Sequence, residues 1–163
     1  MSHDRRFILM AYDEFLQLLI GGAERLGIGY PITLNVGGVL VTGNLIGSRT
    51  YFKGVAPLMA RIAKTGTKEG ATLEDVKTIE ESLLSGNLGG SRVEIRAADE
   101  AAPSDANAAT DSLDVYDFIH LQDAHCYSPS GTPWTGQKPG IWWRGQVSSI
   151  GGFIFGVITP EIA

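Results

Sequence analysis

Between residues 32 and 52 the chain reads ITLNVGGVLVTGNLIGSRTYF. Ile32, Leu34 and Val36 alternate with Thr33 and Asn35, a period of two that lays one apolar face along a strand. Gly37 and Gly38 follow as the two-residue signal of a tight hairpin, because its favoured turns need backbone torsions that glycine adopts without a Cβ clash. The segment from Val39 to Ile46 is the returning strand. Gly43 in its middle predicts a sharp bend of the kind a small closed barrel requires. The first β portion is placed at about residues 31–53.

Working outward, Tyr12, Phe15, Leu16, Leu19, Ala23 and Leu26 recur at helical spacing opposite Asp13, Glu14, Gln17, Glu24 and Arg25, which predicts an amphipathic N-terminal helix over about residues 4–27. Gly21 and Gly22 weaken it by roughly 1 kcal/mol each relative to alanine, so packing must hold it, and Gly27 is its expected C-terminal cap. On the other side, residues 56–86 carry helix signals: Pro57 at a start, then a capping box of Thr72 with Asp75 before Val76, Ile79 and Leu83. One short and one longer helix are expected there. Residues 87–112 turn to Gly, Ala, Ser and acidic residues, with Glu94, Asp99, Glu100, Asp105 and Asp111 against Arg92 and Arg96, and read as a flexible acidic loop in preference to a brief strand at Val93-Glu94-Ile95.

Residues 115–159 are β again: Tyr116 to Tyr127, Gly140 to Val147, and Gly152 to Ile158. In the last of these, Phe153, Phe155 and Val157 lie on one face and Ile154 and Ile158 on the other. Both faces being apolar, water should be excluded from both, which calls for a covering helix or a neighbouring subunit. The expected architecture is mainly β with helices: one domain, residues 1–163, built on a small, strongly bent antiparallel barrel with an N-terminal helix and a helical plus acidic insertion.

Composition sets limits on function. With 163 residues, 44% of them hydrophobic, the chain can bury one substantial core. Thirteen basic against 18 acidic residues give a net charge of -5, so no broad positive field draws phosphate backbones or anionic lipids, and nucleic-acid binding is disfavoured. Cys126 stands alone, which excludes an internal disulfide and a cysteine-rich metal site and fits a reducing cytoplasm. The N-terminus lacks a signal-peptide pattern, and no run is long and apolar enough to span a membrane.

Reactive groups are few. His120, His125 and Cys126 fall on one predicted strand, where strict alternation puts His120 and Cys126 on one face about 20 Å apart and His125 on the other, too dispersed for a metal site or a cysteine nucleophile. Asp123 sits among apolar strand neighbours and is better suited to accepting hydrogen bonds from a turn than to acid-base work. Gly27-Ile28-Gly29 lacks the helix and lysine of a phosphate-cradling loop. No cofactor or metal is called for, and no enzymatic activity. Trp142 and Trp143 are adjacent on a strand, so one faces the core and one faces outward, either as an anchor for a contact or under the N-terminal helix.

ITLNVGGVLVTGNLIGSRTYF (32–52) together with FIHLQDAHCYSPSGTPWTGQKPGIWWRGQVSSIGGFIFGVI (118–158) resembles the gas vesicle accessory protein family GvpU, most specifically in FIHLQDAHCY and in IWWRGQV followed by GGFIFG. The resemblance implies a cytoplasmic, non-enzymatic factor made alongside gas vesicles, the air-filled shells that give cells buoyancy, acting in their assembly or clustering. Its partners would be itself and the vesicle surface or other vesicle proteins. A more distant similarity is to Sm-like (SH3-like) barrels, in Gly38, Gly43, Leu45 and the apolar-Arg-Gly motif at 142–145. It implies pairing of the last strand with a neighbouring subunit into a ring, with contacts through Trp142, Trp143, Arg144, Phe153 and Phe155. The alternative it raises is an RNA-binding ring using Arg49, Lys53 and Arg144, although the usual base-pocket aspartate and asparagine are replaced around Arg49 and Lys53.

Overall fold

A computed structural model describes residues 13–65, 70–85, 91–95, 112–134 and 139–158. In chain order these form helix α1 (Glu14–Leu26), strands β1 (Tyr30–Val36) and β2 (Val39–Ile46), helices α2 (Ser48–Ala63) and α3 (Leu73–Ser85), strands β3 (Ser91–Ile95), β4 (Ser112–Tyr116), β5 (Phe118–Tyr127) and β6 (Ile141–Gln146), a 3-10 turn at Val147–Ser149, and β7 (Ile150–Phe155). Five strands make one antiparallel sheet in the order β6-β5-β2-β1-β7, and β3 pairs separately with β4. The protein is thus a mixed structure of an antiparallel sheet with three helices.

Local chemistry explains the first elements. Asp13 caps α1 by accepting from the Leu16 amide at 2.9 Å, and Gly27, at φ +66°, closes it by donating to the Ala23 carbonyl. The β1–β2 turn holds Gly37 and Gly38 at φ +59° and +89°, as a two-residue hairpin with a primed turn demands.

The expected closed barrel is not formed: β6 and β7 are the outer strands, and they do not pair with each other. The sheet is nevertheless rolled. A flat sheet would set β6 and β7 four strand spacings, about 19 Å, apart. The three residues that join them reach across at most about 15 Å, so the margins must curl toward each other.

Gly43 serves a bulge, not a bend in its own strand. Between the Thr42–His125 and Asn44–Gln122 pairs, β5 carries one residue more than β2. Asp123 takes a left-handed conformation at φ +52° there. A Cβ on Gly43 would lie 3.0 Å from the Gln122 carbonyl oxygen and 3.1 Å from Ala124 Cα, so the close approach of the bulged strand selects glycine.

The sheet separates two layers. Leu16, Leu19, Ile20 and Ala23 of α1 pack on the face made by Ile32, Leu34, Val41, Leu45, Ile119 and Leu121. Each fully buried Leu or Ile there stabilises by roughly 1.5–3 kcal/mol. Gln17 ties β4 to α1 by donating to the Tyr116 carbonyl and accepting from the Tyr116 amide. On the opposite face α2 brings Phe52, Val55, Ala56 and Ala60 down over β5 and β6. Beyond β7, Gly156 at φ +106° turns the chain back over that same face. Thr33 Oγ1 donates to the Gly156 carbonyl and to Thr42 Oγ1, which accepts in turn from the Ile158 amide, so both buried hydroxyls are satisfied.

Three boundaries differ from the sequence expectation. The first β portion ends at Ile46, not near residue 53, because α2 begins at Ser48; Pro57, expected at a helix start, lies inside this 16-residue helix, which is the longer of the two and not the shorter. The cause is a cap from outside the segment: Glu24 of α1 accepts from the Ser48 amide at 2.7 Å and from its hydroxyl at 2.8 Å. Within the acidic stretch, β3 does form, in register with β4 from Ser91–Tyr116 to Ile95–Ser112. Residues 96–111 of that stretch and residues 4–12 of the predicted first helix lie outside the described residues.

Candidate functional site

The residues expected to form one contact surface divide between the two margins of the sheet. Trp142, Trp143 and Arg144 are on β6; Phe153 and Phe155 are on β7, four strands away. Strand alternation then splits the tryptophans. Trp143 lies on the α1 face against the core, its ring over Gly145, where a Cβ would collide with it. Trp142 lies on the other face beneath α2, stacked edge-on to Tyr51 and over Gly54. Neither is an outward anchor, and the helix covering the second is α2, not the N-terminal one.

β7 is the exposed margin. Phe15 of α1 reaches over it, with ring centroids 6.0 Å from Phe153 and 5.9 Å from Phe155. The sequence pattern assigned Phe15 only to the apolar stripe of its helix; its partners come from the far end of the chain. This aromatic cluster leaves β7 largely uncovered: Ile154 and Phe155 are each 56% exposed, on opposite faces, and Val157 and Ile158 beyond them are exposed as well. Water meets both faces of the strand, whereas its composition calls for a cover.

At the β6 margin a polar cluster is buried. His120 of β5 is fully buried, flanked by the rings of Tyr51 at 4.8 Å and Phe52 at 5.8 Å. Arg144 Nε donates to His120 Nε2 at 3.2 Å while its guanidinium carbon lies 3.5 Å from the centre of the Phe118 ring. With Nε2 accepting, the neutral ring carries its proton on Nδ1. That atom makes no hydrogen bond; the nearest carboxylate oxygen, Glu24 Oε1, is 3.9 Å away. Burial, and then the Arg144 charge, push the His120 pKa down to about 4. Burial also raises the Tyr51 hydroxyl, against the pull of Arg144.

Beside this cluster a groove of about 500 Å³ opens between α2, α3 and β6. Tyr51, Val55, Leu58 and Met59 form one wall, Leu83 an end, and Ile141, Trp142 and Arg144 the floor. Apart from the Tyr51 hydroxyl and the Arg144 guanidinium its side chains are apolar.

The basic residues of the RNA alternative are not gathered in a base-pocket loop. Arg49 and Lys53 are one turn apart on α2, Lys53 stands 4.0 Å from Glu80, and Arg144 is engaged with His120 and Phe118. The histidines and cysteine also change places. The extra residue at Asp123 reverses the alternation, so His120 and His125 share a face and Cys126 points to the other, where burial raises its thiol pKa. Asp123 itself accepts from the Gly140 amide at 2.8 Å, the structural role its sequence context suggested. Among the described residues no group of three or more His, Cys, Asp or Glu side chains is placed to hold a metal ion, and no helix is long and apolar enough to cross a membrane.

Comparison with curated proteins and with solved structures finds no match. Comparison with family models matches residues 13–158 to the family described as Gas vesicle protein GvpU-like, a span that takes in all three helices, the five-stranded sheet and both margins just described. The chain therefore belongs to the GvpU-like family of gas vesicle proteins.

Proposed function

We propose that this protein is a cytoplasmic, non-enzymatic gas vesicle accessory factor that assembles with itself and thereby promotes the assembly or clustering of vesicles. Family membership supports the vesicle association. One observation carries the self-association: β7 is an unpaired sheet margin whose two exposed side chains, Ile154 and Phe155, are large, apolar and on opposite faces. Unpaired backbone groups flanked by apolar side chains on both sides are the usual template for pairing with another chain. The two margins of one sheet differ in sequence, so a margin-to-margin contact between copies is head-to-tail and extends to a ring or a string of subunits.

Co-flotation of the purified protein with isolated gas vesicles, run beside a light-scattering mass, tests the reading. The wild type is expected to rise with the vesicles and to scatter as an oligomer. Phe155→Asp, which places a charge on the apolar margin at a half-exposed position, is expected to shift the mass toward the monomer by weakening association about tenfold or more. A wild-type monomer that stays in the bulk liquid would overturn the proposal.

A further inference from the structure

We infer that the groove beside β6 is the seat for β7 of a second copy of this chain, with Ile154 of the incoming strand entering it. The inference rests on the self-association reading above and specifies its contact. When a strand is added to a sheet margin, its side chains continue the two faces of that sheet. Ile154 pairs with Thr33 and so lies on the same face as Thr42, His120 and Arg144, the face that α2 covers and on which the groove opens. Phe155 pairs with Ile32 on the opposite face, that of Trp143.

β6 therefore offers an apolar receiver on each side: the wall of Val55, Leu58 and Met59 for Ile154, and half-buried Trp143 with exposed Ile141 for Phe155. Leu58 and Met59 are exposed in the single chain, like the two residues they would receive, so apolar area on both partners leaves water in one step. Pairing β7 with another β7 has no such match. It sets Gly151 and Gly152, which carry no side chain, within the contact and leaves the groove empty.

The test is disulfide trapping between two singly substituted proteins in a Cys126→Ser background, one carrying Ile154→Cys and the other Met59→Cys. Both positions are exposed, and near-ultraviolet circular dichroism confirms that each variant keeps its fold. Mixed and mildly oxidised, the pair is expected to form a cross-linked heterodimer about tenfold faster than either protein alone forms a homodimer, because seating raises the local thiol concentration. Preferential Ile154→Cys homodimers would mean that β7 pairs with β7, and the inference fails. Absence of any cross-link in a sample that still scatters as an oligomer also overturns it, while leaving self-association standing. A wild type that is monomeric throughout overturns the self-association reading and this inference with it.

Discussion

At the scale of single residues, His120 sets an acid limit on the fold. Its pKa is about 4 in the folded chain against 6.5 for the exposed ring, so between those values the unfolded chain binds more protons and stability rises with pH. The contribution of the neutral ring is complete above about pH 6.5, is lost as pH falls toward 4, and amounts to roughly 3 kcal/mol at most. Urea unfolding at pH 7 and pH 4.5 should show the wild type losing more stability than His120→Gln; equal losses would assign acid sensitivity to the carboxylates instead. Glycine sets a second limit. A Cβ on Gly54 would sit 2.2 Å from the Trp142 ring, so Gly54→Ala must displace the indole or the helix and should cost about 1–3 kcal/mol. Tryptophan fluorescence and thermal melting together read this out, and an unchanged spectrum with an unchanged melting temperature would contradict the packing.

At the scale of elements, α3 is the loosest piece of the described fold. None of its residues is buried, and it rests mainly against α2, with Lys64–Asp75 and Lys53–Glu80 ion pairs at 3.4 and 4.0 Å. Its start depends on the capping box: Asp75 accepts from the Thr72 amide and hydroxyl, and the Asp75 amide donates to Thr72 Oγ1. Amide hydrogen exchange should find α3 far less protected than β1, β2 and β5, and Thr72→Ala should lower its local stability by about 1 kcal/mol without touching the sheet. The same contrast explains what could be read in the chain. α1, the Gly37–Gly38 hairpin, the α3 capping box and the three late strands are announced by neighbours in sequence, through caps, turn glycines and periodicity. The start of α2 was illegible because its cap, Glu24, comes from another helix, and Pro57 advertised a start where none exists. The partners of His120, Arg144 and Phe15 were equally hidden: the bulge at Asp123 changes which face each later residue of β5 occupies, and a two-residue period cannot announce its own interruption. Ile154 and Phe155, by contrast, were visible as a doubly apolar strand, and only the position of β7 at a margin had to come from the structure.

At the scale of the whole molecule, attraction at the margins competes with a net charge of -5. Like-charged copies repel over a distance that falls from about 30 Å at 0.01 M salt to about 8 Å at 0.15 M. Oligomer mass and vesicle clustering should therefore rise with ionic strength, as sedimentation or turbidity across a salt series would show. Dissolution by added salt would instead mean that ionic contacts, and not apolar ones, hold the copies together. The 3-10 turn that joins β6 to β7 gives such growth a particular form. Only three residues separate the two docking strands, so a subunit captured at one of them has the other steadied for the next arrival, and the entropy of ordering is largely met by the first encounter. Elongation then outruns initiation: the protein would remain dispersed up to a threshold concentration and condense abruptly above it, which would let a modest rise in expression gather scattered vesicles into a raft.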